Sequence, residues 1–180
     1  GYYRMREFDK AKAIYENIFR QFGEKKPEDE DLLRNYLESI YFFAQMVKRA
    51  GDLEGAASAL EKALAAQPEE AVERKLMVER AELLLRIARQ KEGEEREQLL
   101  EEAGNLLDEV LWGGVDVPFG RAVSLKASVQ LARGNPAKAE EVLTGHLDIL
   151  ERIDELLEER GLPLSASPMA SARFMLGELY

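Results

Sequence analysis

His146 is the only histidine of the chain, and the chain contains no cysteine. A hydrolytic triad needs a base beside a nucleophile, and a zinc site needs several nitrogen or sulfur ligands. A lone histidine supplies neither arrangement, so His146 is predicted to be a core or boundary residue of a helix. We therefore expect no catalytic residue, no metal site and no cofactor.

Carboxylates are abundant and occur in runs, at 28–31, 92–97 and 151–159. None of these runs has the Asp-x-Asp-x-Asp-Gly spacing of a calcium-binding loop. They are typical of solvated helix faces on which acidic and basic side chains alternate. Gly113-Gly114 lacks the further residues of a phosphate-binding loop. The preceding Trp112 is predicted to plug a helix end, with ligand contact as the alternative.

The amino-acid composition limits the classes of protein to which the chain can belong. The chain has 180 residues, of which 46% are apolar and 33% are charged, so it can bury a core. Its net charge of −10 disfavours nucleic acid and anionic lipid as partners. No apolar run approaches the roughly 18 residues of a membrane span, which predicts no direct membrane insertion. The lack of cysteine fits either the cytoplasm or an oxidising periplasm.

The apolar residues recur at helical spacing along the whole chain, which predicts an all-α fold. The prolines, at positions 27, 68, 118, 136, 163 and 168, fall at the boundaries of the apolar segments. A loop is predicted over residues 112–120. Helices are expected over about 7–22, 28–50, 53–66, 71–90, 95–111, 121–133, 136–160 and from 167 or 168 onward.

Two similar turns, Gly51-Asp52-Leu53-Glu54-Gly55-Ala56 and Gly134-Asn135-Pro136-Ala137-Lys138-Ala139, join pairs of these helices. The alanine that ends each turn has counterparts in the other helix pairs. A small side chain there lets the two helices of a pair cross closely. The recurring positions are Ala11, Ala56, Ala103 and Ala139, then Tyr15, Leu60, Leu107 and Leu143 four residues later, and Ile18, Ala63, Val110 and His146 seven residues later.

Pro68 lies at the end of the second unit, and Leu176-Gly177-Glu178-Leu179-Tyr180 lies at the end of the chain. Through these residues and the two turns, the chain resembles the tetratricopeptide repeat family, whose Leu-Gly-x-x-Tyr signature the last five residues match. The resemblance covers essentially the whole chain and implies a right-handed α-solenoid of antiparallel helix pairs. It implies one domain over 1–180, with partial first and last units. The approximate units are 1–24, 28–68, 70–112, 120–161 and 167–180. The recurring alanines are 45, 47 and 36 residues apart, against about 34 in the family.

In that family the first helix of each unit lines a concave groove. The resemblance therefore implies a set of partner-binding residues, which are Tyr41, Gln45, Lys48 and Arg49, then Arg86 and Arg89 beside Glu82, then Arg121, Ser124 and Ser128. Cations predominate in this set although the chain is acidic overall. That excess favours an acidic peptide or a C-terminal carboxylate as the ligand.

These observations predict a non-catalytic scaffold that binds a protein or peptide on its concave surface. Solenoids need polar capping repeats, and neither end of this chain has one. We therefore expect either a fragment of a longer array or, as an alternative function, homo-oligomerisation through uncapped terminal helices. A regulatory sensor domain of a larger signalling protein is a further alternative. The three classes share the predicted fold and differ only in the partner.

Overall fold

The computed structural model describes residues 2–22, 28–162 and 167–180, and for α1 the side chains of 6–21 alone. All regular structure in these ranges is helical, which confirms the all-α prediction. The helices are α1 (Tyr2–Phe22), α2 (Glu30–Arg49), α3 (Leu53–Ala65), α4 (Glu70–Ala88), α5 (Gly93–Trp112), α6 (Val117–Ala132), α7 (Pro136–Thr144), α8 (Leu147–Glu159) and α9 (Pro168–Leu179).

The chain divides into two compact units, Gly1–Leu76 and Met77–Tyr180, with the boundary inside α4. Buried apolar side chains occur in both units. Whether the chain forms the single repeat domain expected over 1–180 stays a prediction.

In the first unit, α2 and α3 form a hairpin whose ends are set by local hydrogen bonds. The Asp29 carboxylate accepts hydrogen bonds from the backbone N–H groups of Asp31 and Leu32 and so caps α2. Gly51 ends the helix at φ 90°, a conformation that glycine adopts without strain. Asp52 then caps α3 by accepting a hydrogen bond of 2.8 Å from the Gly55 N–H.

The core of the first unit has an aliphatic part, where α2 packs on α3, and an aromatic cluster, where α1 packs on α2. Its aliphatic part comes from the facing sides of α2 and α3, with Ile40, Ala44, Val47, Ala56 and Leu60 buried. On the same buried stripe of α2, aromatic rings of α1 and α2 meet edge to face at centroid distances of 5.2–6.2 Å. This geometry suits the ring quadrupoles. The rings are Tyr15 and Phe19 of α1 and Tyr36 and Phe43 of α2.

Side-chain burial in the second unit centres on α6, which packs against α7, α8 and α9. The buried cluster consists of Phe119, Val123, Ala127, Ala139, Leu143, Leu150, Ile153, Leu157, Met169 and Ala172. Two ion pairs join α5 to α6 and its C-cap. Asp108 of α5 pairs with Lys126 of α6, and Glu97 of α5 pairs at 2.7 Å with Arg133, the residue after α6. Arg96 adds a hydrogen bond of 2.9 Å to the carbonyl of Ala132.

Two sequence predictions about this unit are wrong. The helix expected over 136–160 is broken at Gly145 and His146 into α7 and α8. Glycine weakens a helix, and the Thr144 hydroxyl bonds back to the carbonyl of Glu140, a contact that often bends helices.

The loop expected over 112–120 is shorter than predicted. α5 includes Trp112, and α6 begins at Val117. Asp116 caps α6 by accepting a hydrogen bond of 2.9 Å from the Phe119 N–H. Pro118 lies in the first turn of α6, where its missing N–H costs nothing. Asp116 as the N-cap and Pro118 in the first turn therefore determine where α6 begins.

Candidate functional site

A groove of about 960 Å³ lies in the first unit, on the side of α2 that the buried core leaves uncovered. The residues that line it on α2 recur one turn apart, so they lie on one face of the helix. Phe8 and Asp9 of α1 line the other part. The lining residues from α2 and its C-cap are Tyr41, Phe42, Gln45, Met46, Arg49 and Ala50.

The floor of this groove is aromatic and remains open to solvent. Phe42 is 59% exposed, which is high for a phenylalanine in the middle of a helix. Its ring lies 6.2 Å from the ring of Tyr41, and Lys75 places its ammonium 4.4 Å above the Tyr41 ring. This cation–π contact holds a positive charge beside the aromatic floor.

The charges around the groove are mainly positive. Arg49 is exposed at the C-terminal end of α2, and no carboxylate in the described part of the chain pairs with it. Asp9 is the acidic lining residue. A planar guanidinium over an apolar floor can bind a carboxylate with two parallel hydrogen bonds.

The groove brings together three of the residues that the sequence predicted, namely Tyr41, Gln45 and Arg49. Lys48 is half-buried on the same helix but does not line the groove. The remaining predicted residues belong to the second unit. Arg86 is exposed near the end of α4, Arg89 is exposed in the turn after it, and Ser128 is half-buried on α6.

Arg121 is held by two carboxylates of α4. Its guanidinium lies 2.9 Å from Oε1 of Glu79 and 2.7 Å from Oε2 of Glu82. These ion pairs are partly buried and neutralise its charge locally. On the same face of α6, the Ser124 hydroxyl is buried and has no hydrogen-bond partner in the described residues. Partner binding by Arg121 and Ser124 stays a prediction.

Sequence reasoning did not assign Phe8, Asp9 or Met46 to a site. Phe8 belongs to the apolar stripe of α1, and such a stripe is typical of a core-facing side. Phe42 has a usable signal in the sequence, because it flanks the apolar stripe of α2, a position typical of a surface anchor. Tyr2, Tyr3 and Phe22 belong to the same aromatic-rich region, but their side chains lie outside the described residues.

His146 has the structural role that was predicted. It is half-buried at the junction of α7 and α8, with its ring centroid 5.9 Å from that of Phe119. Its Nδ1 lies 2.7 Å from the carbonyl oxygen of Val142. Since a carbonyl only accepts, Nδ1 donates and carries the proton.

The predicted position of Trp112 is wrong. Its side chain is 94% exposed and plugs no helix end. The last turn of α5 directs Val110 into the core instead, and Leu111 packs against the core beside it. Each residue of an α-helix is rotated by about 100° about the axis relative to the one before it. Trp112, which follows Leu111, therefore points into solvent.

No family model, curated protein or solved structure matches the chain. The likeness to tetratricopeptide repeats therefore stays a resemblance carried by Leu176-Gly177-Glu178-Leu179-Tyr180 and the two turns. Among the described helices, none combines the length and the apolar character needed to cross a bilayer. Within residues 2–22, 28–162 and 167–180, no three histidine or carboxylate side chains are placed to hold a metal ion together.

Proposed function

We propose that the chain is a non-catalytic protein-interaction module that binds an acidic segment of a partner protein in the groove between α1 and α2. The observation that carries this proposal is the juxtaposition of Arg49 with the exposed ring of Phe42. An apolar anchor of the ligand would bury surface on the aromatic floor, and a carboxylate would pair with Arg49. A few such anchors supply most of the energy in protein interfaces.

The choice of an acidic ligand rests on charge. Among the lining residues and their described contacts, two side chains are positively charged, Arg49 and Lys75, and one is negatively charged, Asp9. Lys48 adds a half-buried cation one residue away on α2. A basic ligand would place like charges together at this surface, which is unfavourable.

We also propose that the helix pairs stack as a right-handed solenoid of the tetratricopeptide type. Three of the recurring alanines, Ala56, Ala103 and Ala139, are fully buried, as close helix crossing requires. The two similar turns share a glycine at positive φ, 90° at Gly51 and 77° at Gly134. These local features support the repeat.

The test uses pairs of synthetic peptides that differ only in Glu against Gln, each with one aromatic anchor residue, at physiological ionic strength. We expect the Glu peptides to bind more tightly by fluorescence anisotropy. Arg49→Glu should weaken that binding by about tenfold, the size of one charge-assisted pair. Arg34→Glu is the matched control, because Arg34 is exposed on the same helix and is not a lining residue.

Two outcomes would overturn the proposal. The first is equal affinity for the Glu and Gln peptides. The second is an equal loss of affinity in Arg49→Glu and Arg34→Glu, which would mean that only the overall charge of the protein matters. Phe42→Ala tests the aromatic floor separately, since it should weaken the Glu and Gln peptides by the same factor.

A second candidate function, self-assembly, is favoured by two exposed aromatic residues, one on α9 and one at its C-cap. Phe174 is 68% exposed, and Tyr180 is 85% exposed although its hydroxyl donates a hydrogen bond to Glu140. Light scattering over a range of concentrations should then show an oligomer that Phe174→Glu dissociates and that Gln98→Glu, at an exposed position of α5, leaves intact. A monomer at all concentrations would exclude this candidate.

A further inference from the structure

Trp112 and two valines form an exposed apolar tip on the second unit, where α5 is joined to α6. Trp112 is the only tryptophan of the chain and the most exposed of its large apolar side chains in the described residues. Val115 and Val117 are also exposed. We call Glu109, Trp112, Val115 and Val117 the hairpin tip. Exposed apolar side chains close together in the chain and next to charged ones are typical of interaction sites, and tryptophan is among the residues enriched in the energetic centres of interfaces.

The charge around this tip is negative. The last turn of α5 contains no basic residue, so no side-chain cation of that turn lies at the negative end of the helix dipole. Glu109 lies one turn before Trp112, on the same face of the helix. Its carboxylate is exposed and has no ion-pair partner among the described side chains, whereas the adjacent Asp108 binds Lys126.

We propose that the hairpin tip docks a basic segment of a partner polypeptide. A lysine or arginine side chain would stack on the indole of Trp112 and pair with Glu109. An apolar neighbour in the same segment would cover Val115 and Val117. An indole face is the best aromatic partner for a cation, and a carboxylate beside it adds to the attraction.

A polypeptide suits the hairpin tip better than a nucleic acid or an anionic membrane. Either of those would bring phosphates up to Glu109 and to the negative end of α5. The net charge of −10 adds a long-range repulsion of the same sign. The proposal is independent of the groove on the first unit, which prefers a ligand of the opposite charge.

The single tryptophan makes a direct assay available, because its emission reports on this surface alone. The probe is a short capped peptide of alternating arginine and leucine. We expect saturable binding that shifts the Trp112 emission to shorter wavelength. The same peptide with glutamate in place of arginine should leave the emission unchanged. An unchanged emission at saturating arginine peptide would overturn the proposal.

Variants separate a specific site from general attraction to an acidic protein. With a dye-labelled arginine peptide, Trp112→Ala should weaken binding by about tenfold and Glu109→Gln by about two- to fivefold. Glu158→Gln removes an exposed carboxylate from α8 of the same unit and should change nothing. Equal losses in Glu109→Gln and Glu158→Gln, or an unchanged affinity in Trp112→Ala, would refute the site.

Two further probes address the other classes of partner. An oligonucleotide and a vesicle of anionic phospholipid are each titrated against the wild-type chain. We expect no shift of the Trp112 emission with either probe. A saturable shift with one of them, larger than that with the arginine peptide, would contradict the choice of a polypeptide.

Discussion

At the scale of single residues, the buried alanines leave no room for larger side chains. Ala139 is fully buried on α7 inside the cluster that also contains Val123 and Leu143. We expect Ala139→Leu to overpack this cluster and to lower the free energy of unfolding by about 1–3 kcal/mol. Urea denaturation followed by circular dichroism measures this change. Ala137→Leu, at an exposed position of the same helix, should be nearly neutral; equal effects would mean that the register is wrong.

At Gly120, α6 lies close to the first residue of α9. A Cβ atom added there would lie 2.6 Å from Cγ and 2.8 Å from Cβ of Pro168, whose ring cannot rotate away. We therefore expect Gly120→Ala to destabilise the second unit by about 1–3 kcal/mol.

Gly104 offers the matched control for that substitution. It also lies inside a helix, α5, but no atom would meet its added Cβ within 4 Å. Alanine favours helix more than glycine does, so Gly104→Ala should stabilise by about 0.5–1 kcal/mol. Thermal unfolding of the two variants should shift in opposite directions. A shift of the same sign in both would contradict the packing of α6 on α9.

At the scale of elements, helix ends with strong local signals were predicted well. The turn at Gly51-Asp52 matches the sequence prediction because a left-handed glycine and a capping aspartate act within a few residues. The break at Gly145-His146 does not follow from the apolar spacing, which continues through it, although Thr144 and Gly145 provide weak local signals for a bend. The start of α6 lies earlier than predicted, because Asp116 and Pro118 begin the helix although both are also common in loops.

The capping of α3 gives an element-scale prediction. Replacing the Asp52 side chain removes the acceptor for the Gly55 N–H and leaves that donor without an intrahelical partner. Asp52→Ala should therefore cost about 1 kcal/mol of stability, by urea denaturation. Asn is an equally good N-cap, so Asp52→Asn should restore most of that loss. No difference between the two variants would show that the cap contributes nothing.

At the scale of the whole molecule, the groove was only partly predictable. Tyr41, Gln45 and Arg49 could be found because a spacing of four residues puts them on one face of one helix. Phe8 could not, because its place beside α2 depends on how α1 packs, which the periodicity of α1 does not determine. The cation Arg121 was predicted from register alone, and the carboxylates that neutralise it come from α4, about forty residues away in the chain.

The net charge of −10 leads to a prediction about the rates of binding. Salt screens charges separated by more than about 10 Å at 0.1 M, so it acts mainly on the long-range repulsion between the chain and an acidic peptide. The attraction by Arg49 acts at contact and is screened less. The association rate of the Glu peptides should therefore rise with salt, while that of the arginine peptide at the hairpin tip should fall.

Stopped-flow anisotropy on the two labelled peptides measures both rates over the same range of salt. A control series replaces the salt with sucrose, an uncharged solute, at the same solution viscosities. It separates the effect of viscosity on diffusion from the effect of screening. If the association rates of both peptides fell with salt, the groove would be attracting its ligand by a positive field that outweighs the net charge. If both rose, the acidic field at Trp112 would not guide the basic peptide, because steering by opposite charge weakens as screening increases.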